Sequence, residues 1–368
     1  MLSETAFQRL PGAKKLLRAI REMAFSREIR LMEVCGTHTM AIAKAGLRQL
    51  LPPGIQLLSG PGCPVCVTPA GVMDEVLRLS ETPGLILTTY GDLMRVPGSV
   101  PGDDLQRCRA LGADVRWVYS PMDALDIARD NPERQVVFLG VGFETTAPGT
   151  ALAVLEAKRR GLSNFSLLCL LKRTEPALRA LIQRPDFRVD GLLCPGHVAT
   201  ILGAEEFRFL PEEYGLPAVV SGFETGDLLA ALYALLVQLR EGTPRLENEY
   251  TRAVRPQGNP AAQALMAQVL EPVSDVWRGL GTIPESGLGL KGEFQDFDAA
   301  RRFPFHPTDK EGIPGCRCGQ IICGQLRPQD CPLFGKGCQP EHPIGPCMVS
   351  SEGACAAAYK YQRIETQV

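Results

Sequence analysis

The amino-acid sequence predicts an α/β protein with two parallel-sheet lobes that flank a cleft, followed by a cysteine-rich C-terminal iron–sulfur domain. Two observations predict the lobes: short β-branched apolar runs alternate with helical patterns between residues 29 and 225, and turn residues end the runs. The third observation is the distribution of cysteine, because seven of the 13 cysteines lie between Cys316 and Cys355. Eight apolar runs suit two small sheets better than one, and a barrel is the alternative on count alone.

The apolar runs predict the strands in chain order: Ile29–Val34, Ile55–Ser59, Leu85–Tyr90, Val115–Tyr119, Gln135–Val141, Phe165–Leu171, Gly191–Cys194 and Ala218–Ser221. Helical patterns predict the main helices: Lys14–Met23, Gly71–Leu79, Thr150–Arg160, Leu228–Arg240, Ala261–Val269 and Ala354–Arg363. The composition changes near Glu241. We therefore expect lobe I over residues 1–125, lobe II over 126–240 and the C-terminal domain over 241–368.

The composition argues against nucleic-acid and membrane partners. Lys and Arg total 39 against 41 Asp and Glu, so the formal charge of −2 provides no global basic field. The longest wholly apolar run, Leu228–Val237, is far shorter than the roughly 20 residues of a membrane span. Residues 1–10 show no signal-peptide pattern, so we expect a cytoplasmic protein whose thiols bind metal or do redox chemistry.

The first chemically distinctive motif is Cys-Gly-Thr-His-Thr at residues 35–39. Cys35 follows a predicted strand and precedes a predicted helix start, where backbone N–H groups and the positive helix end favour the thiolate. His38 is able to add a ring nitrogen or to move a proton nearby. The alternative for Cys35 is a small buried hydrophobic residue.

The second motif is Gly-Pro-Gly-Cys-Pro-Val-Cys at residues 60–66. Cys63 and Cys66 form a C-x-x-C pair at the end of a predicted strand, which is typical of a redox or metal-binding pair. Half a zinc site is the competing interpretation, and it would need two more ligands from elsewhere. Two unrelated buried thiols are the structural alternative.

The third feature is the C-terminal cysteine cluster: Cys316, Cys318, Cys323, Cys331, Cys338, Cys347 and Cys355. So few apolar residues surround these cysteines that a bound metal is expected to order the segment. The paired knuckles of a zinc ribbon and the closely spaced ferredoxin run are both absent from the sequence. A four-thiolate iron–sulfur cluster with widely spaced ligands fits, a zinc-stabilised interaction module is the alternative, and spacing alone does not choose four of the seven.

Further candidates follow predicted strands and are expected to line the carboxyl edge of a parallel sheet: Glu144, Thr145, Thr146, His197 and Glu224. Helix capping is the alternative for Glu144 and the threonines, and a satisfied, partly buried ring is the alternative for His197. The tetrapeptide Gly-Phe-Glu-Thr occurs at residues 142–145 and again at 222–225, which suggests related lobes. Standard nucleotide-binding motifs are absent from the sequence.

These motifs together resemble the HypD family of hydrogenase maturation factors over nearly the whole chain. The residues that carry the resemblance are Cys35–Thr39, Gly60–Cys66, Gly142–Pro148 (Gly-Phe-Glu-Thr-Thr-Ala-Pro), Pro195–Val198 and Pro343–Lys360.

The resemblance implies a scaffold that assembles the iron centre of [NiFe] hydrogenases, an iron carrying two cyanides and one carbon monoxide. It implies a small chaperone partner, HypC, a cyanide donor, HypE, and indirectly the hydrogenase large-subunit precursor. Cys35 would be the iron-binding thiolate, Cys63 and Cys66 a redox-active pair, and His38 part of the same reactive site.

The resemblance also implies a [4Fe-4S] cluster with the ligand pattern C-x14-C-x6-C-x16-C. Cys316, Cys331, Cys338 and Cys355 match this pattern at every interval, which leaves Cys318, Cys323 and Cys347 as supporting or structural thiols. The protein would then be a redox-active assembly scaffold rather than a conventional turnover enzyme. The alternative is an iron–sulfur thiol–disulfide oxidoreductase acting on a protein disulfide, which needs no Cys35.

Overall fold

The computed structural model describes residues 11–310 and 312–361. Residues 1–10, from which the absence of a signal-peptide pattern was inferred, lie outside the described residues, as do Gln362 and Arg363 of the predicted last helix. The described chain has two mainly parallel sheets with helices between the strands, which confirms the predicted α/β class. It ends in a cysteine-rich region of short helices.

The strands are β1 (Ile29–Glu33), β2 (Ile55–Ser59), β3 (Leu85–Thr89), β4 (Asp114–Trp117), β5 (Gln135–Gly142), β6 (Phe165–Lys172), β7 (Gly191–Pro195), β8 (Ala218–Ser221), β9 (Leu246–Asn248), β10 (Leu270–Trp277) and β11 (Gly281–Leu290). The first sheet has the order β2-β1-β7-β8-β9 and is parallel throughout. The second has the order β10-β11-β6-β5-β3-β4, in which β3 to β6 pair in parallel. The β10–β11 hairpin adds two antiparallel strands beside β6.

The polypeptide alternates between the sheets instead of completing one before the other. β1 and β2 start the first sheet, β3 to β6 belong to the second, β7 to β9 return to the first, and β10 and β11 extend the second. The sheets therefore do not follow the expected limits 1–125, 126–240 and 241–368. Parallel neighbours are joined by crossovers, so the order of strands along the chain does not specify which sheet each one joins.

The helices are α1 (Pro11–Glu22), α2 (Gly36–Ala45), α3 (Leu47–Leu50), α4 (Pro64–Val67), α5 (Ala70–Ser80), α6 (Leu105–Ala110), α7 (Pro121–Asp130), α8 (Ala147–Arg160), α9 (Thr174–Ile182), α10 (Gly196–Leu202), α11 (Phe209–Tyr214), α12 (Thr225–Glu241), α13 (Pro260–Val269), α14 (Ala299–Arg302), α15 (Cys318–Ile322), α16 (Pro346–Val349) and α17 (Ala354–Tyr361). Short 3₁₀ turns cover Gly91–Arg95, Ala204–Phe207, Gly292–Phe297 and Pro328–Asp330. Within the described ranges, a helix both long and apolar enough to cross a bilayer is absent.

Local sequence signals explain where several elements begin and end. The Ser120 hydroxyl accepts the Met122 N–H at 3.1 Å, and the Asp123 carboxylate accepts the Ser120 N–H at 3.0 Å, so a capping box starts α7. α8 ends at Gly161, whose φ of 67° is left-handed and favours glycine. Only Gln135 of β5 is exposed, as expected for a parallel strand covered on both faces by helices.

The fold places Phe138 of β5 in the core, where it is fully buried and meets the ring of Tyr90 edge to face at 5.5 Å. Replacing Phe138 by Ala should lower the free energy of unfolding by about 3–5 kcal/mol, because the missing ring leaves a cavity. Leu111→Ala, at a side chain that is 75% exposed, is the control and should change it by less than about 0.5 kcal/mol. Urea unfolding followed by circular dichroism measures both, and equal losses would contradict this core.

Candidate functional site

The carboxyl ends of strands from both sheets meet at one cavity of about 360 Å³. Its walls are formed by the segments that follow β1, β2, β3, β5 and β7, together with residues 350–352 near the C-terminus. Strand ends of this kind are where parallel α/β proteins bind ligands. The polar side chains and the thiol that line the cavity include Cys35, Thr37, Tyr90, Thr145, Thr146, His197 and Glu352.

Cys35 lies in this cavity between β1 and α2 and is 7% exposed. Its backbone N–H donates to Oε2 of Glu33 at 3.2 Å, while the backbone N–H groups of Thr37 and His38 donate to its sulfur. The thiol therefore faces the start of a helix, as the sequence predicts.

Burial dominates the acidity of the Cys35 thiol. It raises the pKa of Cys35 to about 12, and the negative charges of Glu352 and Glu33 act in the same direction. The N–H groups of His38 and Thr37 oppose this rise but do not overcome it. The N–H groups at the helix start thus favour the thiolate, as the sequence predicts, but burial outweighs them. A bound cation would supply the missing stabilisation, since a coordinating thiol loses its proton.

The loop that carries Cys63 lies directly against the loop of Cys35. Gly62 is so close that a Cβ atom there would overlap the backbone N and Cα of Cys35. The Gly36 N–H donates to the Gly62 carbonyl at 2.8 Å, and the Gly60 N–H donates to the Glu33 carbonyl at 2.7 Å. Glycine is therefore required at residue 62 for steric reasons.

His38 is fully buried and fixes α2 to the end of β8. Its Nε2 lies 3.0 Å from the Gly222 carbonyl and 3.2 Å from the Ser221 carbonyl, so Nε2–H donates to both. Its Nδ1 then has no proton and no hydrogen-bond partner within the described residues. Burial lowers the pKa of His38 to about 4, which keeps the ring neutral. His38 does not line the cavity. A direct catalytic role for its ring remains a prediction.

Cys63 and Cys66 bracket α4 and are both buried. The Cys63 sulfur accepts the Cys66 N–H at 3.2 Å, and the Cys63 thiol donates to the Ser350 hydroxyl at 3.4 Å. Ser350 lines the same cavity as Cys35, whereas Cys63 and Cys66 do not. The pair is therefore placed one side chain away from the cavity, beneath its wall.

A chain of sulfur contacts leads from this pair to the C-terminal cysteines. The Cys347 sulfur accepts hydrogen bonds from the thiols of Cys318 and Cys66, which lowers the pKa of Cys347. The Cys66 thiol also contacts Cys63, and burial, Cys347 and Cys63 all raise the pKa of Cys66. The Cys316 thiol in turn donates to Cys318. Cys318 and Cys347 therefore connect the two groups of thiols, a role that sequence spacing did not reveal.

The four cysteines that match the family's cluster pattern surround one small cavity of about 10 Å³. Cys316, Cys331, Cys338 and Cys355 all line it, together with Cys318 and Cys347, whereas Cys323 does not. Within the described part of the chain, the side chains of His, Cys, Asp and Glu do not form a group of three or more suited to a single metal ion.

The other predicted candidates divide into two groups. Thr145, Thr146 and His197 line the cavity, and His197 stacks on Phe223 with ring centroids 3.9 Å apart. Glu144 does not line it: its two carboxylate oxygens accept the backbone N–H of Thr174 at 2.6 Å and the Thr174 hydroxyl at 2.7 Å, which fixes the start of α9.

Glu224 is likewise outside the cavity lining and caps α12. The Glu224 backbone N–H donates to the Asp227 carboxylate at 3.3 Å at the start of this helix, a role that the sequence analysis did not consider for Glu224. Phe223, the residue before Glu224, contacts two histidine rings. Its ring centroid lies 4.8 Å from that of His38, and it also stacks on His197. The repeated Gly-Phe-Glu-Thr motif was the sequence signal for Phe223.

Two carboxylates near Cys35 were not predicted. Glu33 is fully buried, accepts the Thr39 hydroxyl at 2.6 Å and lies 3.8 Å from the guanidinium of Arg48. Glu352 accepts the Thr37 hydroxyl at 2.7 Å and packs on Gly36, so the C-terminal segment closes over the Cys35 loop. A charged residue inside a predicted apolar strand was the available signal for Glu33, and the contact of Glu352 is too distant in sequence to be read.

The fold and site define an α/β protein with a buried thiol, Cys35, in a cavity at the carboxyl ends of parallel strands. The family model HypD, described as "Hydrogenase formation hypA family", matches residues 12–362. The chain belongs to the HypD family.

Several relatives match this chain over most of their own length. The "Hydrogenase maturation factor HypD" of Azotobacter vinelandii is 48% identical over 343 residues, which cover 92% of this chain and 90% of the relative. The protein of the same name from Escherichia coli K12 is 45% identical, with 93% and 91% of the two chains covered. That of Cupriavidus necator is 46% identical, with 91% and 90% covered.

The buried carboxyl of Glu33 predicts a pH dependence of stability. Burial is the main cause that raises the pKa of Glu33 from 4.5 to about 7, against the opposing charge of Arg48 and the hydrogen bond of Thr39. The folded state therefore holds a proton that the unfolded state releases above pH 4.5, so the free energy of unfolding should fall between pH 4.5 and 7 by about 3 kcal/mol.

Urea unfolding of the metal-free protein at several pH values measures this effect. Glu33→Gln should remove that part of the pH profile, and Glu22→Gln, at an exposed carboxylate of α1, should keep it. Parallel profiles for the wild type and Glu33→Gln would contradict the assignment.

Proposed function

We propose that this protein is a scaffold and redox relay for assembling the Fe(CN)₂CO group of [NiFe] hydrogenases, with the substrate iron held by the Cys35 thiolate in the cavity between the sheets. The observation that carries the proposal is the placement of Cys35 in the cavity, with Cys63 and Cys66 beneath its wall and a sulfur chain leading to four more cysteines. The names of the relatives point to the same process, hydrogenase maturation.

The cavity suits an iron that carries cyanide and carbon monoxide. A soft thiolate is an appropriate ligand for such iron, and Cys35 is a thiol within the lining. The hydroxyl groups of Thr145 and Tyr90 also line the cavity and would donate hydrogen bonds to cyanide nitrogens. Phe143 and Trp277, whose ring centroids are 6.0 Å apart, provide an apolar wall that excludes water from the diatomic ligands.

The donor set of the C-terminal cavity fits a resident [4Fe-4S] cluster. In a cubane each thiolate binds a different iron, so four separated sulfurs around one cavity are the required arrangement, and Cys316, Cys331, Cys338 and Cys355 supply it. Gly345 also suits this cavity. A Cβ atom at residue 345 would lie 2.7 Å from the Cys316 sulfur, so a larger residue there would collide with the ligand. The Ile344 N–H donates to the Cys338 sulfur at 3.3 Å, as backbone groups do around cluster ligands.

Contacts among the thiols support the proposed relay. A cluster bound at the four cysteines would exchange one electron at a time, whereas the oxidation of Cys63 and Cys66 to a disulfide releases two electrons and two protons. Cys347 and Cys318 connect the two sites, and Ser350 connects Cys63 to the cavity. Reducing equivalents would thus reach the side of the cavity where Cys35 holds iron.

The proposed partners are the small chaperone HypC, the cyanide donor HypE and, indirectly, the hydrogenase large-subunit precursor, in the cytoplasm. In this role the protein is an assembly scaffold rather than a conventional turnover enzyme. The alternative, a thiol–disulfide oxidoreductase acting on a protein disulfide, gives Cys35 no role and finds no support among the relatives.

Cys35→Ala should lose the cyanide-bearing iron, because the substitution removes the thiolate that binds it. The brown colour of the iron–sulfur protein should remain, because the four cluster cysteines are unchanged. Infrared spectra of the protein purified anaerobically with its partners should lose the cyanide and carbon monoxide bands. Cys108→Ala, at a buried thiol of α6 outside the cavity lining, is the control and should keep them. Unchanged bands in Cys35→Ala would refute the iron assignment.

Cys331→Ser should lose most of the visible absorbance and bound iron, since it removes one of four cluster ligands. Cys323→Ser is the matched control, because this neighbouring buried thiol lies outside the cavity, and Cys318→Ser should keep most of the absorbance as well. Absorbance and iron assays on anaerobically purified protein test this. A colourless wild-type protein that contains zinc would contradict the cluster and favour a zinc module.

A further inference from the structure

Arg278 occupies the tip of the β10–β11 hairpin and is 2% exposed. Within the described ranges, a carboxylate that pairs with it is absent, although most of the arginines form ion pairs. Its guanidinium instead donates to backbone carbonyls, from Nε to Cys66 at 2.9 Å and from Nη2 to Thr68 at 2.6 Å. The hydrogen-bond acceptors that the described residues offer to this buried cation are thus neutral carbonyls, and a nearby anion would stabilise it further.

The hairpin tip lies between the two groups of thiols. On one side the Arg278 N–H and side chain donate to the last carbonyls of α4, the helix that Cys63 and Cys66 bracket. On the other side Gly279 packs on α15, since a Cβ atom there would lie 2.7 Å from the Gly319 carbonyl oxygen. The same turn therefore contacts the segment of the redox pair and the helix that begins at Cys318.

The turn that carries Arg278 also lies close to the C-terminal cavity. The helix α15, on which Gly279 packs, begins at Cys318, and Cys318 lines that cavity. The guanidinium faces the segment that leads to Cys316, since a Cβ atom on Gly312 would lie 3.1 Å from Nη1 of Arg278. Four thiolates around an iron–sulfur cluster carry net negative charge, and reduction adds one more electron.

We propose that Arg278 is a positioning residue that compensates the negative charge of the cluster and raises the potential at which the cluster accepts an electron. The inference rests on the proposed [4Fe-4S] cluster. A fixed buried cation stabilises the reduced, more negative state more than the oxidised one, because Coulomb interactions are strong in a low-dielectric interior. No bond forms or breaks in this step; one electron passes to the cluster from a one-electron reductant, which is dithionite in the titration below.

The test is a potentiometric titration of anaerobically purified protein, with the reduced cluster followed by electron paramagnetic resonance. Arg278→Met should shift the midpoint potential to more negative values, whereas Arg278→Lys, which keeps the charge, should stay close to the wild type. Arg134→Met is the control, because Arg134 is paired with Asp114 at 2.6 Å in the second sheet. An unchanged potential in iron-loaded Arg278→Met, or an equal shift in Arg278→Lys, would overturn the proposal.

Loss of the cluster in Arg278→Met is also informative. Iron retained by Arg278→Lys but lost from Arg278→Met and Arg278→Gln would support a requirement for positive charge. Iron lost from all three would overturn that requirement in favour of the guanidinium geometry alone. A wild-type protein without cluster absorbance would refute the cluster itself, so failure of the proposed function differs from failure of this inference.

Discussion

The close contact between Gly62 and the backbone of Cys35 is the constraint on which the rest of the site depends. β1 and β2 are parallel neighbours, and their carboxyl ends are tied by the Gly36–Gly62 and Gly60–Glu33 backbone hydrogen bonds. This contact sets Cys35 at the cavity and directs the next turn, with Cys63 and Cys66, beneath its wall. The C-terminal segment then closes over both loops through Ser350 and Glu352.

Most strands of the fold could be predicted from the sequence, because a parallel strand buried on both faces is a short apolar run. Ile55–Ser59 and Ala218–Ser221 have the predicted bounds, and the other predicted strands differ by a few residues. The β10–β11 hairpin was missed, since prolines and glycines interrupt its apolar pattern. The alternation of the chain between the two sheets could not be predicted, because local sequence does not specify where a crossover leads.

The candidate site could be predicted where the chemistry belongs to the residue type, and not where it depends on packing. Cysteine motifs marked residues 35, 63 and 66, but the thiol acidity could not be read from them, since burial outweighs the helix start. Glu144 follows its strand as predicted, but its contact with Thr174, 30 residues later, could not be read from the sequence. Arg278 has no motif at all; its importance follows from contacts with Cys66 and Thr68 more than 200 residues earlier.

The central claim is that one thiol holds substrate iron while four others hold a separate cluster, joined by a path of sulfur atoms. Anomalous diffraction at the iron absorption edge, from crystals of the protein purified anaerobically with its partners, tests this most directly. The account predicts two separate iron peaks, one beside the Cys35 sulfur and one enclosed by Cys316, Cys331, Cys338 and Cys355. Iron density among the C-terminal cysteines alone, or beside Cys63 and Cys66 instead of Cys35, would contradict it.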